Sequence, residues 1–175
     1  MSIYYQFAQQ ENIMRLPALL LVLLVCVSAC GFQLRGAQMG KLGITSISVQ
    51  SHGANRLSSI VKTELQISGI KTVDSAADAE YTLLLNNESF TRNVLSVSPK
   101  TGKEEELELI YTASMAVNQA DGKILLSKDT VQVTRDFTFD DDAVLGKFTE
   151  EEVLREDLVR NAASQVLRRL QAVLN

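Results

Sequence analysis

The sequence predicts an α+β fold, a two-layer sandwich in which a four-stranded mixed sheet carries two helices on one face. One side of residues 106–117 is apolar and the other is mostly polar, which is the period-two pattern of a half-buried strand. Apolar residues recur at helical spacing over 57–68 and again over 154–173. Stacking two one-sided helices on a one-sided sheet buries all of these apolar surfaces, so we predict that architecture.

The predicted element order is β-α-β-β-β-α, and it begins with a strand and a helix. Residues 44–50 are rich in β-branched side chains, and Ile47 and Val49 share one face of the predicted strand. Asn55 is the predicted N-cap of the first helix, since an asparagine side chain can accept from the free N–H groups of a first turn. The apolar stripe of this helix is Leu57, Ile60, Val61, Leu65 and Ser68. Residues 70–79 are predicted to form a connection.

A long hairpin and a shorter one follow. Residues 81–97 are predicted to form the second strand, PKTG at 99–102 a turn, and residues 106–117 the third strand. The Asp-Gly pair at 121–122 predicts a tight turn into a fourth strand over 124–139. The predicted core residues of the third strand are Leu109, Tyr111 and Met115. The apolar face of the fourth strand is Val131, Val133, Phe137 and Phe139.

A long helix is predicted to run to the C-terminus. Thr149 and Glu152 have the spacing of a capping box, and residues 150–151 are glutamates, which are favoured at a helix N-terminus. The buried stripe of this helix is Leu154, Leu158, Ala162, Val166, Leu170 and Val173. The three aspartates at 140–142 lack the alternating ligands of a calcium loop, so we predict that they end the preceding strand.

A secretory signal is predicted from residues 15–30, RLPALLLVLLVCVSAC. Arg15 precedes twelve mostly apolar residues and a small-residue end, and this run is shorter than the roughly 20 residues of a membrane-spanning helix. Residues 27–30, VSAC, resemble the lipobox of bacterial lipoproteins, in which the cysteine takes a diacylglycerol and begins the mature chain. We therefore predict lipidation at Cys30, in preference to a buried cysteine at the end of a signal anchor.

The chain is predicted to contain three segments. Residues 1–29 form the signal peptide, residues 30–43, with four glycines, form a lipidated tether, and residues 44–175 form a single α/β domain. Residues 1–13 carry no basic residue and match a signal poorly. We interpret them as lying upstream of a true start at Met14, or as a leader that is removed with the signal.

Composition excludes several classes of function. The net charge is −4, so the chain lacks the overall basic charge of a nucleic-acid-binding protein. Cys26 lies in the predicted signal and Cys30 is the predicted lipid acceptor, so the mature domain has no cysteine free for a disulfide, a metal site or a nucleophile. The single histidine, His52, has no second histidine to work with and is predicted to be a surface residue. We predict that the chain is not an enzyme and has no cofactor and no metal.

Residues 30–36, CGFQLRG, carry a resemblance to a known family. The chain resembles the LptE (RlpB-like) lipoproteins, whose mature chains open with Cys-Gly, an aromatic residue, a variable residue, Leu and Arg. Phe32, Leu34 and Arg35 match that opening. Chain length and element order extend the resemblance over residues 30–175.

The resemblance implies a role in lipopolysaccharide transport. Members of the family are lipoproteins that sit one-to-one in the lumen of the LptD β-barrel as a plug, help that barrel assemble, and bind lipopolysaccharide during its insertion into the outer leaflet. Gly31 is not the aspartate associated with inner-membrane retention, so a lipid-anchored (palmitate-bearing), periplasm-facing protein of the Gram-negative outer membrane is expected. The alternative is a lipid-anchored periplasmic module of an ABC-type lipid-trafficking system, and co-purification with a large β-barrel distinguishes the two.

Basic residues near the first hairpin turn are the candidate ligand site. The resemblance implicates this region in binding lipopolysaccharide phosphates, and here the residues are Lys100, Lys103 and Arg92. Ammonium groups on an exposed turn suit phosphates because they need no fixed geometry. The alternative is that the lysines only solubilise the turn, balanced by the glutamates at 104–106.

Arg135 lies on the apolar face of the predicted fourth strand, between Val133 and Phe137. An arginine in that position needs a carboxylate partner or must reach an edge of the sheet. We predict that Arg135 makes a structural ion pair, in preference to binding a ligand.

Overall fold

The computed structural model describes residues 43–138 and 147–175, with side chains described from residue 151 onward in the second range. The elements are β1 (Ser46–His52), α1 (Asn55–Ile67), β2 (Lys71–Val73), β3 (Tyr81–Val97), β4 (Glu104–Gln119), β5 (Ile124–Thr138) and α2 (Lys147–Leu174). The sheet order is β2-β1-β3-β4-β5, in which β1 runs parallel to both of its neighbours and the remaining pairs are antiparallel. Cys30, the signal, the tether up to residue 42, Phe139 and the aspartates at 140–142 lie outside the described residues.

The α+β class, the mixed sheet and the two helices are confirmed, but the sheet has five strands instead of four. The additional strand, β2, lies in the segment 70–79 that was predicted as a connection, followed by a single 3-10 turn over Ala76–Asp78. β2 pairs with β1 over three residues, from Ser46 opposite Lys71 to Ser48 opposite Val73. A strand this short cannot display an alternation, so periodicity gave no signal for it.

A single core joins the two layers. Alternate residues of the sheet and the predicted stripes of both helices are buried together, and Leu109, Tyr111 and Met115 are at most 1% exposed. The buried residues of the predicted stripes are Leu57, Val61 and Leu65 in α1 and Leu158, Ala162, Val166 and Leu170 in α2. The buried face of α2 is wider than its predicted stripe and also includes Val159, Ala163 and Leu167. None of the helices in the described parts of the chain combines the length and apolar character needed to span a membrane.

Both predicted helix caps are wrong. The N-cap of α1 is Ala54, which has no capping side chain, and Asn55 is already helical. α2 begins at Lys147, so Thr149 lies inside its first turn instead of preceding it. In α1, the free N–H groups of the first turn are bonded by a side chain from a distant part of the sequence, so a local N-cap side chain is not needed.

That side chain is Glu88, at a bulge in the middle of β3. The ladder between β3 and β4 shifts register between Asn86 and Ser89, and Asn87 takes a left-handed conformation with φ of 55°. The Glu88 carboxylate accepts from the backbone N–H groups of Arg56 at 3.3 Å and Leu57 at 3.4 Å. It therefore occupies the place of an N-cap side chain, and its charge suits the positive end of the helix dipole.

Glu88 also holds the hydroxyl of Tyr111 on the neighbouring strand. The Tyr111 hydroxyl donates to Glu88 Oε2 at 3.0 Å, and the Tyr111 ring packs edge-on against Phe90 with centroids 4.9 Å apart. Burial, and then the charge of Glu88, raise the pKa of Tyr111 far above its usual value of about 10. The hydroxyl therefore keeps its proton at neutral pH and remains a hydrogen-bond donor.

Candidate functional site

The site predicted from sequence lies at the distal end of the β3–β4 hairpin, which we call the hairpin end and define as residues 92–108. The two strands pair from Tyr81 opposite Gln119 to Val97 opposite Glu104. On β3 the buried residues occur before the bulge, and residues 91–97 are exposed apart from a half-buried Ser96. The hairpin thus continues past the part of β3 that the helices cover.

Lys100 and Lys103 lie together on the turn that closes the hairpin end. Gly102, with φ of 70°, donates its N–H to the Ser98 carbonyl at 2.8 Å, and the Ser98 N–H donates to the Lys103 carbonyl at 2.7 Å. These bonds close the turn from within, and both lysine side chains are exposed. The structure therefore brings two of the three predicted site residues to one accessible turn.

Arg92 is placed differently, because acidic side chains surround it. It lies opposite Leu109 in the ladder, five residues before the strand ends. Its guanidinium donates to both carboxylate oxygens of Glu104, at 3.0 Å to Oε1, and its Nε lies 3.8 Å from Glu151 Oε2. The hydrogen bond with Glu104 raises the pKa of Arg92 above its usual value, against a smaller effect of burial.

This pairing changes the electrostatics of the turn. Among the glutamates at 104–106, which were predicted to balance the lysines, Glu104 is held by Arg92. Glu108, two residues after that run, accepts from the Asn93 amide at 3.0 Å. Glu151 is shared with Arg155, whose guanidinium lies 2.8 Å from its carboxylate. The sequence offered charged residues on neighbouring elements, but it could not show which of them meet.

The prediction of an ion pair for Arg135 is wrong. Arg135 is exposed, and no carboxylate in the described part of the chain pairs with it. It lies opposite Leu109 on β5, an edge strand, so its long side chain can carry the guanidinium out to water. The arginine that does pair with this strand is Arg169 of α2, which lies 2.6 Å from Asp129.

Sequence reasoning missed an apolar cluster beside the two lysines. Val94, Leu95 and Val97 are 46%, 52% and 54% exposed. The signal was present in the run VLSV at 94–97, where the expected alternation with polar residues fails. His52, at the end of β1, is exposed as predicted. Within the described residues there is no cluster of side chains suited to hold a metal ion.

Comparison with known proteins places this fold in a family. Residues 44–170 match the LptE family, which is described by its role in lipopolysaccharide assembly. The chain belongs to the LptE family. Because that family assembles lipopolysaccharide and is not a family of enzymes, the prediction of a non-enzymatic lipoprotein is confirmed.

Individual relatives agree with the family match. The LPS-assembly lipoprotein LptE of Pectobacterium atrosepticum is 29% identical over 162 residues, which cover 91% of this chain and 86% of that protein. The crystal structure of rare lipoprotein B from Shewanella oneidensis has a TM-score of 0.64 at 29% identity and covers 73% of this chain and 95% of that one. The NMR structure of an uncharacterized lipoprotein B from Nitrosomonas europaea has a TM-score of 0.68 at 26% identity, and it covers 81% of this chain and 91% of that one.

Proposed function

We propose that this LptE-family chain is an outer-membrane lipoprotein that plugs an LptD-like β-barrel one-to-one, helps it assemble, and binds lipopolysaccharide during insertion into the outer leaflet. The observation that carries the proposal is the family match over residues 44–170. The geometry of the sheet and of the hairpin end adds a physical rationale for each half of the proposal.

The sheet face opposite the core supports a place inside a barrel. Side chains directly opposite each other in an antiparallel ladder share one face. Four successive rows of side chains across β3, β4 and β5 lie on this face, and Ile110 is their single apolar residue. The β3 and β5 members of these rows are exposed, except Asn86. The rows are Asn86–Ser114–Thr130, Ser89–Thr112–Gln132, Thr91–Ile110–Thr134 and Asn93–Glu108–Asp136. The lumen of an outer-membrane barrel is polar, so this face is chemically suited to it.

The lysines of the turn support the proposed binding of lipopolysaccharide. Lys100 and Lys103 are exposed on one turn, and Arg92 neutralises the glutamate that begins the neighbouring acidic run. We propose that both lysines contact phosphates of lipopolysaccharide. Arg92 joins them only where a phosphate displaces Glu104 or Glu151 from its guanidinium, so its contribution depends on the opening of those pairs.

Affinity capture from native outer membranes tests the barrel partnership. A C-terminally tagged chain, extracted in mild detergent, is expected to retain one large β-barrel protein in a one-to-one ratio. Capture of the chain alone, or with an inner-membrane transporter, would contradict the proposal, and the transporter would favour the ABC-type module.

Charge reversal at the turn tests the lysine site. Lys100→Glu with Lys103→Glu is expected to weaken binding of purified lipopolysaccharide by at least about tenfold, because each charged contact contributes about 1.5–3 kcal/mol and 1.4 kcal/mol is one decade. Lys71→Glu with Lys123→Glu makes the same change in net charge at two exposed lysines away from the hairpin end. Equal affinity of the two double variants would return Lys100 and Lys103 to the role of solubilising the turn.

Metabolic labelling with a clickable fatty acid tests the lipid anchor proposed at Cys30. Cys30→Ala is expected to lose the label and its attachment to membranes, because only a free thiol at that position can take the diacylglycerol. Cys26→Ala, four residues earlier, is the matched control and is expected to label like the wild type. Undiminished labelling of the Cys30 variant would refute the lipobox assignment.

A further inference from the structure

Exposed aliphatic side chains are concentrated at the hairpin end. Isolated apolar residues on a surface need no explanation, whereas a contiguous group indicates a contact. Among the described residues, the other large exposed hydrophobics are Ile67, Ile124 and Val153, which lie singly on three different elements. Val94, Leu95 and Val97 instead fall within four consecutive positions of β3.

The backbone presents these three side chains in an unusual way. The ladder shifts register between Val94 and Ser96, where Leu95 has no partner on β4, and again between Ser96 and Val97, where Glu105 has no partner on β3. A β-bulge re-aims side chains, and bulges are over-represented at sheet edges and next to functional sites. Val94 stays opposite the buried Leu107, which places it on the core side of the sheet while leaving it 46% exposed.

The apolar cluster borders the two lysines. Strand pairing ends at Val97 opposite Glu104, and the turn carrying Lys100 and Lys103 follows directly. Since a strand rises about 3.3 Å per residue, the three aliphatic side chains span roughly 10 Å next to the ammonium groups. The hairpin end therefore places aliphatic side chains next to two ammonium groups, while the facing strand carries Glu105 and Glu106 and a Glu104 that is held by Arg92.

We propose that Val94, Leu95 and Val97 bind the acyl chains of the lipopolysaccharide molecule whose phosphates meet Lys100 and Lys103. This inference rests on the proposed lipopolysaccharide-binding function and adds the part of the ligand that the aliphatic cluster takes. A phosphorylated glycolipid carries acyl chains next to anionic phosphates, and these complement the aliphatic side chains and the adjacent ammonium groups of the hairpin end.

The charge pattern argues against a second copy of the chain on this surface. A two-fold contact that aligned the two hairpins in the same direction would bring the lysines of both copies toward each other, and like charges in a closed interface oppose association. An anionic amphiphile would place its apolar part on the aliphatic cluster and its anionic group near the two lysines. The pairing of Glu104 with Arg92 neutralises one of the carboxylates that would oppose the anion.

Comparing intact with deacylated lipopolysaccharide tests the proposal. The triple variant Val94→Thr, Leu95→Gln, Val97→Thr keeps β-compatible shapes at both valines and removes the apolar surface. It is expected to bind intact lipopolysaccharide about tenfold more weakly and to bind the deacylated, still phosphorylated molecule like the wild type. The single variant Leu95→Gln, at the unpaired bulge position, is expected to show a smaller change in the same direction.

Matched variants separate the inference from the proposed function. Ile124→Thr with Val153→Gln removes exposed aliphatic side chains elsewhere and is expected to leave both affinities unchanged. Lys100→Glu with Lys103→Glu is expected to weaken binding of both forms of the ligand. If the wild type binds neither form, the proposed lipopolysaccharide binding fails. If the wild type binds and the triple variant matches it on the intact form, the acyl-chain inference alone fails.

Two further outcomes also overturn the inference. Equal weakening on intact and deacylated ligand would mean that the aliphatic residues act by shaping the turn and make no contact with acyl chains. Unchanged lipopolysaccharide affinity, with loss of binding to vesicles of phosphatidylethanolamine and phosphatidylglycerol, would assign the surface to a phospholipid bilayer.

Discussion

Glu88 accepts hydrogen bonds from three donors on two elements that are distant in sequence. The Arg56 and Leu57 N–H groups begin α1, and the Tyr111 hydroxyl belongs to the interior strand β4. The Glu88 N–H donates in turn to the Gly53 carbonyl at 2.8 Å, in the connection between β1 and α1. One bulged residue thereby fixes the start of a helix, the neighbouring strand and the preceding loop.

The bulge at Glu88 also divides the hairpin into a part that packs in the core and a part that extends toward the turn. Before it, Leu83 and Leu85 of β3 are buried in the core. After Phe90, β3 is exposed apart from Ser96 and carries Arg92 and the aliphatic cluster toward the turn. Phe90, the first residue beyond the bulge on the core side, packs on Tyr111 and lies 5.1 Å below the Arg155 guanidinium. The position of the hairpin end relative to α2 therefore depends on contacts that begin at Glu88.

Much of the fold follows from local pattern. The bounds of β3 match the predicted 81–97, and the buried faces of β4 and both helices agree with the predicted stripes, because periodicity reports burial directly. The predictions that failed all concern contacts between residues that are distant in sequence. β2 is too short for periodicity, and α1 is capped by a residue 31 positions beyond Leu57. The carboxylate partners of Arg92 and the lack of one for Arg135 among the described residues were not predicted, because a sequence does not show which carboxylate a guanidinium will meet.

The site residues show the same difference between features set by local sequence and features set by tertiary structure. An exposed turn with lysines can be located from PKTG, since turn chemistry is local. The aliphatic cluster was visible as the run VLSV, but exposure decides its meaning, and exposure depends on where the helices end. The pairing that neutralises Glu104 required the three-dimensional register of β3 and β4.

A double-mutant cycle between Glu88 and Tyr111 tests the central claim that the Glu88 carboxylate joins these elements. Glu88→Ala removes the cap of α1 and leaves a buried hydroxyl unpaired, so urea unfolding at pH 7 is expected to show a loss of about 2 kcal/mol or more. Glu88→Gln, which keeps an acceptor oxygen, is expected to lose less, and Glu64→Ala, an exposed glutamate on α1, about 0.5 kcal/mol or less.

Tyr111→Phe is expected to destabilise the wild type but to have little cost in the Glu88→Ala background, where the orphaned hydroxyl is already without its acceptor. That non-additivity is the predicted signature of the contact. Equal costs of Tyr111→Phe in both backgrounds, together with a Glu88→Ala variant as stable as the Glu64 control, would contradict the account.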